Sequence, residues 1–104
     1  MEVVPLASVP SQTLTVNLAN QTCQINVYQK LYGLFFDLYV SNALIIGGVL
    51  CENLNRIVRS LYLGFQGDFM FVDNQGASDP TFDGLGTRYS LIYLAPSDLP
   101  PGVG

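Results

Sequence analysis

Apolar and polar residues alternate along much of the chain, which is the two-residue period of a β-strand. Residues 13–18 place an apolar side chain at every second position and predict a half-buried strand. A turn at 20–21 and a second alternating run at 23–28 predict a hairpin between the two runs. A further turn at 30–33 leads into a third predicted strand at 34–40.

The second half of the chain predicts less regular structure. Residues 43–51 are apolar on both faces, as in a strand that is covered on both sides. Residues 51–63 combine apolar positions at helical spacing with weak helix formers, so a helical turn and an irregular loop both fit. Alternation at 68–73 and 88–95 predicts two more strands, and the Gly, Asp and Pro residues of 74–87 predict a long loop between them.

Prolines mark both ends of the predicted core. They favour an extended arm at 1–11 and end strand pairing in a loose tail at 96–104. The 104 residues are then a single domain, 1–104, with a β core at 12–95. The predicted fold class is all-β: a small antiparallel β-barrel or sandwich of about six strands, with an extended N-terminal arm and a C-terminal tail.

The amino-acid composition limits the functions that the chain can have. Charged residues make up 12% of the chain, about half of the usual share of roughly 25%, so much of the surface is neutral and suited to a partner. Four Lys and Arg against eight Asp and Glu give a net charge of -4, which argues against nucleic-acid recognition and against anionic membranes. The absence of histidine excludes histidine-based catalytic triads and histidine metal ligands.

Sequence features also indicate the compartment and the state of the cysteines. The first residues lack the pattern of an export signal, so we expect the chain to stay where it is made. The longest apolar stretch, 43–51, is far shorter than the roughly 20 residues of a membrane-spanning helix. Because the chain lacks the pattern of an export signal, we expect Cys23 and Cys51 to be two buried thiols and not a disulfide.

Aspartates in the predicted loop suggest a calcium site, but their spacing does not fit one. A calcium loop starting at Asp73 would place Ala77, which has no side-chain oxygen, at a ligand position. We expect Asp73, Asp79 and Asp83 to form turns, with no metal and no cofactor. Two carboxylates among Asp68, Asp73 and Asp83 could serve glycoside hydrolysis, but no pair stands out, so the chain is not expected to be an enzyme.

Large side chains on the predicted polar faces are the clearest candidates for function. Tyr28, Phe35, Tyr39 and Met70 lie opposite the main apolar stripes, where a monomer would place charge. Either a closed fold buries both faces of some strands or these side chains form an interface, and the small size of the domain favours an interface. Outside the regular strands, polar contacts to neighbouring proteins are expected from Arg56, Arg59, Asp79, Asp83 and Arg88.

Short phrases along the sequence resemble those of a known protein family. They stand at 5–14, 21–25, 28–30, 33–38, 48–53, 62–68, 73–76, 78–80, 84–89 and 91–94. Among them are PLASVPSQTL near the start, GLFFDL in the third predicted strand, and GLGTRY where the last predicted strand begins. Together they resemble the baseplate plug proteins of contractile-tailed bacteriophages, of the cyanophage type. The resemblance does not extend to the tail at 96–104.

The resemblance implies a structural protein of the virion tail baseplate. It implies no catalytic residue that could be assigned to a position of this chain. It implies a plug that closes the central channel of the hub and tube next to the spike until DNA ejection, after assembly in the host cytoplasm. The expected partners are the baseplate hub, tail tube and central spike proteins. A homo-oligomer with three- or sixfold order would suit a tail.

The residues themselves leave two other functions open. A small carbohydrate- or peptide-binding β module would use Tyr28, Tyr39, Tyr89 and Tyr93 as stacking platforms for its ligand. A hydrolase would instead use the aspartates at 68, 73 and 83 as acid and base.

Overall fold

The computed structural model describes residues 2–59 and 65–98, and within them seven strands form two antiparallel sheets. In chain order the strands are β1 (Glu2–Val4), β2 (Ser11–Leu18), β3 (Gln21–Lys30), β4 (Gly33–Val40), β5 (Ala43–Leu50), β6 (Asp68–Asp73) and β7 (Tyr89–Leu94). One sheet has the order β2-β3-β4-β5 and the other β1-β7-β6. The described residues contain no α-helix, so the all-β prediction is confirmed. The two sheets share one core as a sandwich and do not close into a barrel.

Two tight turns join strands of the four-stranded sheet. Ala19 and Asn20 have φ of 51° and 61°, and Ser41 and Asn42 have φ of 50° and 68°. Positive φ at both central residues is the mark of the type I′ turn, whose twist matches that of the strands it connects. The first turn lies one residue before its predicted position, because Asn20 supplies the second left-handed residue and not the first.

β5 is an edge strand, and the prediction that its segment is covered on both sides is wrong. Leu44 and Leu50 are exposed on it. Its register against β4 shifts where it passes Gly47 and Gly48, and the φ of 65° at Gly48 suits a β-bulge that only glycine forms without strain. An apolar run cannot distinguish a covered strand from an edge strand with an exposed apolar face.

The N-terminal segment contributes the edge strand of the three-stranded sheet. β1 pairs with β7, with Val4 opposite Leu91, and β6 pairs with the other side of β7, with Met70 opposite Ile92. The segment 51–59 runs beside β6 and meets it at two isolated bridges, without forming a helix. Of the two structures that fit residues 51–63 in sequence, the described part therefore adopts the irregular loop and not the helical turn.

The remaining connections are irregular. The long predicted loop at 74–87 is confirmed and contains one short 3-10 helix, Phe82–Gly84. A second, Pro96–Asp98, begins the predicted tail. Residues 60–63 of the ambiguous segment and 99–104 of the predicted tail lie outside the described residues. Within 2–59 and 65–98, no helix has the length and apolar character needed to cross a membrane.

Aromatic side chains from both sheets fill the core between them. Phe36 of β4 packs on Phe69 of β6, with ring centroids 5.2 Å apart. Phe65 and Tyr93 pack around the same Phe69 ring at 5.4 and 5.6 Å. A fully buried side chain of this kind contributes about 1.5–3 kcal/mol to stability. The two cysteines, both among the described residues, are free and buried thiols, as predicted.

Candidate functional site

The outward face of the four-stranded sheet carries the aromatic residues expected at an interface. Tyr28, Phe35 and Tyr39 are half-buried there, because strand alternation directs their neighbours into the core. Tyr28 and Phe35 are opposite each other in register, and their rings stack with centroids 6.0 Å apart. The ammonium of Lys30 lies 5.6 Å from the centre of the Tyr28 ring. We call the surface formed by Tyr28, Phe35 and Tyr39 the aromatic face.

Asp37 organises the aromatic face. Its carboxylate accepts hydrogen bonds from the Tyr28 hydroxyl at 2.9 Å and from the Gly48 N–H at 2.7 Å. The side-chain amide of Asn26 donates a third at 3.3 Å. Partial burial acts to raise the pKa of Asp37, but the three hydrogen bonds outweigh it and hold the pKa below its ordinary value. Burial first, and then this carboxylate, raise the pKa of Tyr28.

Sequence reasoning missed Asp37, although one signal could have identified it. It is the single charged residue in an otherwise apolar strand, at the outward position between Phe36 and Leu38. A lone outward carboxylate beside aromatic neighbours indicates a hydrogen-bond acceptor for groups on adjacent strands. Here it fixes the Tyr28 hydroxyl and the β5 bulge at the same time.

An apolar tip was also missed. Leu31 and Tyr32 form the turn between β3 and β4 and are 89% and 87% exposed. Turns normally carry Gly, Asn, Asp or Ser, so two large apolar residues at a predicted turn were an available signal. Such exposed side chains gain stability when a neighbouring protein covers them.

Met70 lies on a different surface from the aromatic face. It points outward from the three-stranded sheet and is half-buried. Arg56 forms an isolated antiparallel bridge opposite Met70, so the two residues are brought together. Nη1 of Arg56 is buried and finds no hydrogen-bond acceptor among the described residues. A buried donor without an acceptor is costly, which makes this guanidinium an incomplete polar site.

Arg59 has an exposed side chain on a segment that Asp68 holds in place. The buried Asp68 carboxylate accepts backbone hydrogen bonds from Val58 and Phe69 at 2.7 Å. It accepts two more from Arg59 at 2.9 Å and Ile57 at 3.1 Å. Because Asp68 is fully buried and its oxygens are occupied by backbone donors, it cannot act on a substrate. The sequence hypothesis that used Asp68 as a catalytic carboxylate is wrong.

Asp73 and Arg88 form an ion pair at the base of the long loop. Nε and Nη2 of Arg88 each donate to the Asp73 carboxylate at 2.9 Å. The N–H groups of Gln75 and Ser78 donate to the same carboxylate at 2.9 and 2.8 Å. The Arg88 hydrogen bonds are the main reason that the pKa of Asp73 lies well below its usual range. Asp73 forms a turn, as predicted.

The other two loop aspartates also bind within the chain. Asp79 accepts a hydrogen bond from the Asn53 N–H at 2.9 Å and ties the loop to the segment beside β6. Asp83, in the short 3-10 helix, accepts one from the hydroxyl of Thr81, the residue before that helix. The Ser8 hydroxyl donates to the backbone carbonyl of Asp83 at 2.8 Å and links the N-terminal segment to this loop. The nine predicted interface residues therefore occupy several separate surfaces and not one.

Two of the four tyrosines proposed as ligand platforms are inaccessible. Tyr89 and Tyr93 are buried on the inward face of β7, on either side of Leu91. The Tyr93 hydroxyl donates to the backbone carbonyl of Gln66. The prediction that both would stack on a ligand is therefore wrong.

One small apolar cavity lies between the N-terminal segment and β7. Its volume is about 210 Å³, and its walls include Val4, Leu6 and Tyr89. Gly86 closes one side, and a Cβ at this position would lie 2.5 Å from the carbonyl oxygen of Leu6. Close backbone contact here explains why glycine stands at this position. Across 2–59 and 65–98, no three His, Cys, Asp or Glu side chains are grouped to hold a metal ion.

The chain is thus a small all-β sandwich with few charges and with exposed apolar side chains, a combination that is typical of proteins that contact neighbours. Residues 1–96 match the family described as cyanophage baseplate Pam3 plug gp18. The chain belongs to this family of bacteriophage baseplate plugs, which confirms the resemblance read from its sequence phrases. A search of curated proteins finds no match. Family membership supports a structural role in the phage tail baseplate, in association with other baseplate components.

Proposed function

We propose that this chain is a non-enzymatic plug that closes the central channel of the tail baseplate until DNA ejection. Its neighbours are then the hub, the tail tube and the central spike, and copies of the chain follow the three- or sixfold order of the tail. Membership of the plug family over residues 1–96 is the observation that supports this function. Assembly from newly made protein would take place in the host cytoplasm.

Exposed apolar groups support a role inside an assembly. The aromatic face and the tip at Leu31 and Tyr32 leave large side chains in water on a chain with few charges. Aromatic residues are typical of the buried centre of protein interfaces. We assign the apolar contacts to Tyr28, Phe35, Tyr39 and Met70 and the polar contacts to Arg56, Arg59, Asp79, Asp83 and Arg88.

Arg56 is the polar contact with the clearest physical reason. Its buried Nη1 has no acceptor within the described part of the chain. If the half-buried side chain turns outward on assembly, a carboxylate or carbonyl oxygen of a neighbouring protein would satisfy this donor. Charged hydrogen bonds of this kind contribute about 1.5–3 kcal/mol. The single domain would then contribute a positive donor and an apolar surface to its neighbours.

Light scattering on a sizing column tests this function directly. The purified chain is measured alone and mixed with the hub protein of the same phage, and we expect a stable complex of defined mass. Tyr39→Ser should weaken the complex, because it removes an accessible ring from the aromatic face. Leu54→Ser is the control, since Leu54 is 60% exposed but lies outside the proposed contacts. If the purified chain does not bind the hub protein, the proposal is overturned.

A further inference from the structure

Strand edges carry unpaired backbone N–H and C=O groups, and proteins usually protect such edges from pairing with other chains. In the described part of the chain, three of the four sheet edges are protected. β5 contains a bulge, and the Gly48 N–H there is bound by Asp37. β1 has three residues and is followed by Pro5. β6 is flanked by the segment 51–59, which donates backbone hydrogen bonds to its carbonyl groups.

β2 is the edge that lacks such protection. It has eight residues without glycine, proline or charge, and it pairs with β3 without a register shift. Within the part of the chain that the structure describes, it pairs with β3 alone. A long, regular and uncharged edge of this kind is a template for another strand.

The backbone groups that face outward follow from the ladder. The Gln29 N–H donates to the Pro10 carbonyl at 2.7 Å, and Leu18 closes the hairpin opposite Gln21. Because ladder hydrogen bonds alternate along an antiparallel strand, the even-numbered residues of β2 bond to β3. The outward N–H and C=O groups then belong to four residues, Ser11, Thr13, Thr15 and Asn17.

We propose that two copies of this chain pair through β2, antiparallel, about a twofold axis at Leu14. In this register Ser11 faces Asn17 of the second copy, and Thr13 faces Thr15. Each facing pair exchanges two hydrogen bonds, so about eight form in all. If the axis moved by one residue, an outward residue at one end of β2 would face a residue that lies outside β2 of the second copy. With the axis at Leu14, each of the four outward residues faces another outward residue of β2.

The side chains of β2 suit this pairing on both faces. Leu14 and Val16 are only half-buried at the rim of the core, and a second strand beside them would cover them further. The Leu14 side chains of the two copies would meet each other, and Thr13 would meet Thr15, a favourable cross-strand pair. No residue of β2 is charged, so no like charges are brought together.

This pairing goes beyond the proposed baseplate function and does not rest on it. Copies arranged around the tail axis all point the same way, whereas a twofold pair places two copies in opposite directions. The pair is therefore a state of the free protein, and it separates when the chain enters a polar assembly. Until then it covers the edge that would otherwise pair with unrelated strands.

Cysteine cross-linking tests the register. Residues at the centre of the pair are not hydrogen-bonded to each other, and their Cα atoms should lie about 4.5 Å apart, within disulfide range. Leu14→Cys should therefore give a disulfide-linked dimer under mild oxidation. Val16→Cys is the matched control on the same strand and face, because the two Val16 positions would lie about 13 Å apart. The natural cysteines are buried and should contribute no cross-link.

A charge substitution tests the edge itself. Thr15→Lys places two ammonium groups at diagonal positions on one face of the pair and should give a monomer by light scattering, with an unchanged circular dichroism spectrum. Thr22→Lys makes the same substitution on the same face, one strand away from the edge, and should leave the dimer intact. A wild-type monomer at every concentration, equal cross-linking of the two cysteine variants, or a dimeric Thr15→Lys would overturn the proposal. Hub binding by a monomeric Thr15→Lys would leave the baseplate function standing.

Discussion

Asp68→Ala should be among the most destabilising single substitutions in this protein. The Asp68 carboxylate accepts four backbone hydrogen bonds in the core. After truncation, the Ile57 N–H keeps a second acceptor, the Phe69 carbonyl at 3.0 Å. Among residues 2–59 and 65–98, the N–H groups of Val58 and Phe69 find no second acceptor, and both stay buried. The Arg59 N–H is partly buried and loses its acceptor too.

The expected loss follows from these orphaned donors. One buried unsatisfied donor costs about 1–3 kcal/mol, so Val58 and Phe69 together cost roughly 2–6 kcal/mol. Domains of this size are stable by only about 5–15 kcal/mol. At about 4–8 °C for each kcal/mol, the melting temperature should fall by at least roughly 8 °C. Asp68→Asn should cost less, because its amide oxygen can take the place of Oδ1, which accepts three of the four bonds.

Urea unfolding followed by circular dichroism measures these differences. Asp83→Asn is the control, because Asp83 is exposed and a change there should stay within about 0.5 kcal/mol. We expect the order of stability to be wild type, then Asp68→Asn, then Asp68→Ala. A loss below about 1 kcal/mol for Asp68→Ala, or a loss no larger than that of the control, would refute the reasoning from orphaned donors.

The ion pair, the thiols and one exposed arginine lead to further expectations. Because the pKa of Asp73 is lower in the folded state, its pairing stabilises the fold above about pH 4 and is lost as the pH falls. Arg88→Met should flatten the acid side of a stability curve against pH, and an unchanged curve would contradict this. Burial raises the pKa of Cys23 and Cys51, so neither should react with a thiol reagent at pH 8 before unfolding, and rapid labelling of native protein would be the contrary result. Arg59→Glu should leave the isolated fold intact but prevent incorporation into baseplates; normal particle assembly would remove Arg59 from the contacts.

Three strands of the four-stranded sheet, β2, β3 and β4, could be predicted from sequence because alternation specifies both the strands and their faces. The turn between β2 and β3 was predicted one residue too late, and its type I′ conformation was not predicted. The position of β5 at the edge could not be predicted, because its apolar run fits a covered strand equally well. β1 pairs with β7, and no local pattern in its three residues specifies a strand so distant in sequence.

The candidate site was predicted only where strand alternation decides it. Tyr28 and Phe35 were placed on an outward face, because their neighbours form an uninterrupted apolar stripe. Tyr89 and Tyr93 could not be placed, because both faces of their strand carry large apolar residues. The role of Asp37 depends on the register of three adjacent strands, which the sequence does not show.

The place of β1 beside β7 has a consequence for the order of folding. Val4 pairs with Leu91, so the three-stranded sheet joins the two ends of the described chain. Closing so long a loop costs chain entropy before any contact can offset it, whereas β2 to β5 are joined by short turns and form from local contacts. The four-stranded meander should therefore form first during synthesis. Its inner face then stays open to water until β7 has been made and β1 can pair with it.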